Sequence, residues 1–106
     1  MAFNFISICE GIEIPTTQTK VFEANSQTNL TYALCSNPTS MPIKFEVLIK
    51  LEGGGISTLI PLRDVPNKGT DMCNELKGLV INVNSVLYVQ ASASGLFFRA
   101  NGFTFS

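Results

Sequence analysis

The sequence of 106 residues contains no histidine and no tryptophan. Without histidine, the chain lacks the commonest general base, the Ser-His and Cys-His nucleophile pairs and the commonest zinc ligand. Its eight acidic residues stand in no recognisable catalytic spacing. The sequence therefore predicts a protein that is not an enzyme and that binds no cofactor or metal.

One pair of carboxylates leaves a metal site as an alternative. Asp64 and Asp71 flank the turn at residues 66–69, and Asn67 lies within that turn. Calcium binds oxygen groups of this kind, although the spacing matches no EF-hand. In this alternative, the side chains around this turn would hold the calcium ion.

Charge is also scarce, because charged residues make up 14% of the chain and the net charge is −1. Soluble domains usually carry about 25% charged residues. The seven basic residues are scattered from Lys20 to Arg99, which argues against direct nucleic-acid binding. A near-neutral surface with few charges indicates that other chains cover part of it.

Long apolar runs are absent too, since none approaches the roughly 18 residues of a membrane span. The first five residues lack the basic region of a secretory signal, so synthesis in the cytoplasm is expected. The three cysteines, Cys9, Cys35 and Cys73, form no CxxC pair, and their odd number favours buried free thiols. A Cys9–Cys35 disulfide remains an alternative if the first and third strands lie side by side.

The clearest structural signal is the alternation over residues 43–51. Its odd positions are all apolar, and its even positions are Lys44, Glu46, Leu48 and Lys50. Because successive strand side chains point to opposite faces, this pattern predicts the central strand of a half-buried antiparallel sheet. Leu48 is the one apolar residue on the charged face, which makes it a candidate contact.

Other segments read as strands and turns. Leu30, Tyr32 and Leu34 alternate with three smaller residues and predict a strand, and the glycines at 53–55 predict a hairpin. Pro61 places the returning strand at a sheet edge or ends it. Residues 70–77 fit either an extended segment or one helical turn, and we favour the extended form.

Turn signals recur every eight to twelve residues, and no amphipathic helix interrupts them. This spacing predicts an all-β protein: a single antiparallel β-sandwich or barrel-like domain of about seven or eight strands. The domain would span residues 1–106, with residues 1–15 as an N-terminal arm or an edge strand.

Aromatic residues exceed what one face of such a sandwich can bury. Adjacent Phe97 and Phe98 must point to opposite faces of a regular strand. Buried aromatic side chains dominate subunit contacts. We therefore predict a subunit or capsid interface formed by Phe3, Phe5, Leu48, Phe97, Phe103 and Phe105.

Two segments of the sequence resemble those of a known family. Residues 59–66 and 79–93 resemble small β-rich virion proteins of tailed bacteriophages, with Val83-Asn84-Ser85 in place of the Ala-Gly-Asp turn often found there. The resemblance covers roughly residues 30–105. It implies a non-enzymatic virion protein, above all a capsid decoration (cement) protein that binds the major capsid protein as a homo-oligomer, with a trimer favoured.

Two alternatives remain open from the same residues. The first is a neck or tail component of the virion. The second is a carbohydrate- or receptor-binding β-module with an exposed aromatic platform formed by Tyr32, Tyr88 or Phe97.

Overall fold

Short β-strands make up most of the chain, and they form two antiparallel sheets. The computed structural model describes residues 3–105, and it describes side chains for residues 4–104. Within this range a 3-10 turn at Asn74–Leu76 is the only helical element. The strands are β1 (Phe3–Glu13), β2 (Thr19–Glu23), β3 (Thr28–Ser36), β4 (Ile43–Lys50), β5 (Ile56–Val65), β6 (Thr70–Asp71), β7 (Val80–Ile81), β8 (Val86–Ala91) and β9 (Phe97–Phe105).

The strand order defines the architecture. Sheet 1 has the order β1-β9-β3, with β6 and β7 pairing separate ends of β3, and sheet 2 has the order β2-β8-β4-β5. The chain crosses between the sheets at nearly every connection, and β6 and β7 are two pieces of one interrupted strand. Four strands against four with this order form a jelly roll. The predicted all-β sandwich is confirmed, and the interrupted strand raises the count to nine in the described residues.

β4 is an interior strand of sheet 2, as the alternation predicts. It pairs with β8 on one side and with β5 on the other. Phe45 and Val47 are fully buried, whereas Lys44 and Lys50 are exposed. The strand ends at Lys50, one residue before the predicted end, and Leu51 is exposed in the hairpin. The space between the sheets is filled by large buried side chains, among them Phe45, Phe98, Leu30, Ile60, Leu87 and Leu96.

The β4–β5 hairpin forms at the three glycines. Gly53 has φ 69°, a left-handed conformation that glycine adopts without strain. β5 continues through Pro61 as the edge strand of sheet 2, and its register with β4 shifts between Phe45 and Leu48. An edge position with a bulge accommodates a proline, which cannot donate to the ladder.

A bulge reverses the faces of β3. Leu30 pairs with Gly102 but Tyr32 pairs with Asn101, so Thr31 is the extra residue. Before the bulge Leu30 points into the core, and after it Ala33 and Cys35 do so. The strand predicted from this alternation is confirmed, but Leu30 lies on the opposite face from Tyr32 and Leu34, because one inserted residue changes the side of every later side chain.

Residues 74–76 correct another prediction, since they form a 3-10 turn rather than extended chain. Cys73 adopts a left-handed conformation with φ 48°, and its N–H donates to Asp71 Oδ1 at 2.8 Å. Leu76 is fully buried and anchors the turn against the core. This turn interrupts the last strand of sheet 1.

The three cysteines are buried free thiols, as predicted. β9 lies between β1 and β3, so Cys9 and Cys35 do not stand on neighbouring strands. Burial raises the pKa of the Cys35 thiol to about 12, with the negative charge of Asp71 adding to the effect. Burial likewise raises the pKa of Cys9 and Cys73 above the ordinary value, so all three thiols stay protonated near neutral pH.

Arg63 joins the edges of the two sheets. From β5 it donates through Nε and Nη2 to the two carboxylate oxygens of Asp71, both at 2.8 Å. It also donates to Glu75 in the 3-10 turn, with Nη2 to Oε1 at 2.9 Å. Its guanidinium carbon lies 5.9 Å from the centroid of the Phe45 ring. The cation therefore closes the side of the sandwich where β5 faces β6.

Replacing Arg63 with Met is expected to lower the free energy of unfolding by about 2 kcal/mol, because several charge-assisted hydrogen bonds are lost. Hydrogen bonds from Arg63 lower the pKa of Glu75 below its ordinary value of 4.5. A lowered folded-state pKa stabilises the fold above the unfolded pKa, and this contribution disappears as pH falls below about 4.5. Urea unfolding between pH 3 and pH 7 checks both effects.

The matched control for Arg63 is Lys44, whose Nζ lies 3.3 Å from Asp64 in a pair that is about half exposed on both sides. Exposed ion pairs contribute about 0–1 kcal/mol, so Lys44→Met should change stability little. Equal losses in the two variants would contradict a special role for Arg63. The Arg63 variant should also lose less stability than the wild type between pH 5 and pH 3.

Candidate interaction surface

The outer face of sheet 1 carries the exposed aromatic side chains. On β9 the residues alternate strictly, so Phe98 and Ala100 are buried while the odd positions point outward. Register pairs place Phe5 beside Phe103 and Ser7 beside Asn101. We define the outer face of sheet 1 by Phe5, Ser7, Glu10, Tyr32, Leu34, Phe97, Arg99, Asn101 and Phe103.

An aromatic groove occupies one half of this face. Phe5 is 85% exposed, and its ring meets that of Phe103 edge-on, with centroids 6.4 Å apart and planes at 67°. Asn101 Nδ2 donates to Tyr32 Oη at 2.9 Å and holds the tyrosine in place. The groove measures about 370 Å³ and is lined by Phe5, Ile6, Ser7, Thr31, Tyr32, Asn101 and Gly102.

A polar groove continues from the aromatic one. It measures about 480 Å³, is lined by Ser7, Glu10, Arg99 and Asn101, and shares Ser7 and Asn101 with its neighbour. Among the ion pairs of the described residues, none involves Glu10 or Arg99. One charge of each sign is therefore unpaired at this end of the face.

The outer face of sheet 2 has a different character. Lys44, Glu46 and Lys50 lie on it, and Lys20 stands opposite Tyr88. Two of its charges have partners within the chain, since Lys20 pairs with Glu23 at 3.1 Å and Lys44 pairs with Asp64. Glu46 and Lys50 take part in none of the ion pairs of the described residues. This face carries more charged side chains than the residues that define the outer face of sheet 1.

The structure separates the predicted interface residues. Phe5, Phe97 and Phe103 lie on the outer face of sheet 1, whereas Leu48 lies half-buried on the outer face of sheet 2, between Tyr88 and Thr58. Phe97 is 36% exposed and stands opposite Ser36, at the far end from Phe5. The side chains of Phe3 and Phe105 lie outside the described residues. All six remain predicted contacts.

Sequence reasoning missed Tyr32, Asn101, Glu10 and Arg99 as members of one surface. The alternation along β9 indicates that Arg99 and Asn101 share a face with Phe97 and Phe103. No local signal indicates the bulge that turns Tyr32 outward or the bulges that bring Glu10 beside Arg99. These neighbours depend on strand pairing.

The structure gives no support to a metal site at Asp64 and Asp71 or to a platform that combines Tyr32 with Tyr88. Asp64 pairs with Lys44 and Asp71 pairs with Arg63, and across the described residues no three His, Cys, Asp or Glu side chains converge. Tyr32 and Tyr88 lie in different sheets, so they cannot form one platform. No helix in residues 3–105 has the length and apolar character to cross a membrane.

The chain is similar to known proteins in structure but not in sequence. No family model and no curated protein sequence matches the chain. A protein of the T13 infectious bursal disease virus (IBDV) particle superposes with a TM-score of 0.59 and 11% identity, over 96% of this chain and 30% of that one. A pentameric capsid protein isolated from metagenomic phage sequences superposes with a TM-score of 0.46 and 11% identity, over 95% of this chain and 62% of that one.

The chain thus has a jelly-roll fold similar to part of a viral particle protein, and it spans about 30% of that protein's length. The similarity concerns the fold alone and does not extend to tailed-phage decoration proteins in particular. At 11% identity it carries no information about individual side chains.

Proposed function

We propose that this chain is a non-enzymatic structural protein of a virus particle. The superposition of its jelly-roll fold on part of the IBDV particle protein is the observation that carries the proposal. The outer face of sheet 1 supports it, because Phe5 is 85% exposed and a contact with another chain would bury it.

Within the particle, we assign the chain the role of a decoration protein that binds the lattice of the major capsid protein. Such a protein requires contacts with the lattice, and a homo-oligomer also requires contacts between its own copies. The two outer faces of the sandwich differ in charge and suit different partners. Leu48, next to Tyr88 on the outer face of sheet 2, is the proposed lattice contact.

Apolar contact supplies the stabilisation in this role. At roughly 25 cal/mol per Å² of buried apolar area, several hundred Å² per subunit amount to many kcal/mol before association costs are subtracted. Contacts of this size, repeated over a lattice, would oppose the outward pressure of a packaged genome.

The proposal can be tested on purified particles of the virus whose genome encodes this chain. Quantitative mass spectrometry should find the chain in stoichiometric ratio to the major capsid protein, and antibody labelling should decorate the whole shell. Labelling confined to one vertex or to the tail would favour the neck or tail alternative. Absence from purified particles would overturn the virion role.

A carbohydrate-binding role is the second candidate, and the aromatic groove is the observation that favours it. The groove combines Phe5 and Tyr32 with the polar side chains of Ser7 and Asn101, and sugar sites commonly combine a ring face with hydrogen-bonding groups. A glycan array should then show binding that Phe5→Ser abolishes. An array without binding by the wild-type chain would exclude this candidate.

A further inference from the structure

The edges of both sheets are unsuited to adding a strand from another chain. β1 changes register twice along β9, and Gly11, with φ 63°, lies within the second of these shifts. β5 carries Pro61 and two register shifts, and β2 has only five residues with one shift. The other edge of sheet 1 consists of β6 and β7, which have two residues each. Bulges, proline and short length are the features that block edge-to-edge pairing. These features disfavour a contact made by adding an edge strand, and they direct attention to the outer faces.

The charges on the two outer faces distinguish them. On sheet 2 Lys20 and Lys44 are paired within the chain, whereas Glu46 and Lys50, on the same strand as Lys44, are in none of the ion pairs of the described residues. On sheet 1 the aromatic groove has no charged lining residue, and the adjoining polar groove holds Glu10 and Arg99 without ion-pair partners in the described chain. The outer face of sheet 1 thus presents an apolar half next to one exposed charge of each sign, Glu10 and Arg99, on neighbouring strands.

This pattern is self-complementary. Consider a two-fold axis in the plane of the contact, parallel to β1 and β9 and midway between them. This axis places each outward-pointing β1 side chain of one copy over a β9 side chain of the other copy. The β9 residue that it meets is the one that its own β1 residue pairs with inside the chain. Phe5 then meets Phe103, Ser7 meets Asn101, and Glu10 reaches Arg99. Each contact occurs twice, as an isologous interface requires.

We propose that the outer face of sheet 1 is the contact between two copies of this chain, with Glu10 of each copy paired with Arg99 of the other. Aligned packing of sheet faces about 10 Å apart accommodates the Phe5 and Phe103 rings between the two sheets. The contact gives a dimer in place of the trimer that the phage resemblance implies. It rests on the proposed structural role, since it supplies the homo-oligomer on which that role depends.

Charge reversal tests the contact. The wild-type chain should sediment at twice the chain mass, and Glu10→Arg or Arg99→Glu alone should raise the dissociation constant at least about tenfold, because like charges then face each other. The double variant should recover wild-type affinity within about threefold. An equimolar mixture of the two single variants should also dimerise, because every crossed pair is then opposite in charge.

Aromatic truncation tests the other half of the face. Phe5→Ser should weaken the dimer about thirtyfold or more, as loss of a central aromatic contact does. Leu48→Ser on the outer face of sheet 2 is the matched control and should leave the dimer unchanged. Phe5, Glu10 and Arg99 are exposed, so circular dichroism should show native structure in every variant of these three.

The outcomes separate this inference from the proposed function. A monomeric or trimeric wild-type chain, or a dimer that neither single charge reversal weakens, overturns the two-fold contact. So does a double variant that remains as weak as the singles. A dimer that behaves as expected in a chain absent from purified particles would overturn the virion role alone.

Discussion

Replacing Val47 with Asp is expected to leave the chain unfolded. Val47 is fully buried at the centre of β4, between Val89 on β8 and Ile60 on β5. A carboxylate at this position would lose its hydration without gaining a partner, and such burial costs several kcal/mol. Because domains of this size are stable by about 5–15 kcal/mol, a loss of at least about 5 kcal/mol removes most or all of that margin.

Val47 is a cleaner choice than Phe45, which is equally buried. Arg63 lies 5.9 Å from the Phe45 ring and would offer a partner to a carboxylate placed there. Leu48→Asp is the matched control, since it introduces the same charge one residue further along on the outer face. Its cost should stay near 1 kcal/mol. Circular dichroism and urea unfolding distinguish the two, and cooperative unfolding of Val47→Asp would contradict the assignment of β4 to the core.

Replacing Gly102 with Ala is expected to destabilise sheet 1 by about 2–4 kcal/mol. A Cβ at position 102 would lie 2.3 Å from the carbonyl oxygen of Asn29 and 3.3 Å from Cα of Leu30. Both are backbone atoms of β3, so relief requires β9 and β3 to separate where the bulge brings them together. Overpacking of this kind typically costs 1–3 kcal/mol, and a shift of paired backbone adds to it.

Gly55→Ala is the control for Gly102. No atom lies within 4 Å of a Cβ built at Gly55, and its φ is not positive. Ala there should leave stability unchanged or raise it by about 0.4–1 kcal/mol through reduced freedom of the unfolded chain. Urea midpoints measure both variants. Similar midpoints would show that the sheets accommodate the added methyl group.

The same Gly102 substitution links the fold to the surface. Gly102 lines the aromatic groove beside Tyr32. Separation of β9 from β3 would move the Asn101 amide away from the Tyr32 hydroxyl, which are joined at 2.9 Å. The Gly102 variant should therefore weaken the dimer contact as well as the fold, whereas Gly55→Ala should affect neither.

Local patterns in the sequence were sufficient for the class of fold. The alternation in β4 identifies an interior strand with a buried face, because burial of one face of a sheet imposes period two on the side chains. The glycines at 53–55 identify the hairpin for an equally local reason, since a tight turn requires backbone conformations that glycine tolerates. The burial of the cysteines also follows from composition, as free thiols behave as small apolar groups.

Other features depended on contacts between distant residues. The sequence around Thr31 alternates without a break, yet the pairing with β9 inserts a bulge there and turns Tyr32 outward. The 3-10 turn at residues 74–76 is tied to β5 by Arg63, twelve residues before Glu75, which binds both Glu75 and Asp71. Neither partner of such a contact carries a local signal of the other.

The sequence by itself therefore determined an all-β chain with few charges, surplus aromatic side chains and no histidine. These properties follow from residue type and from periodicity within one strand. Only the tertiary structure decided which strands pair and which face each strand presents. Pairing and bulges control the direction of every side chain, and they bring Phe5, Tyr32, Glu10 and Arg99 to one surface from strands that are far apart along the chain.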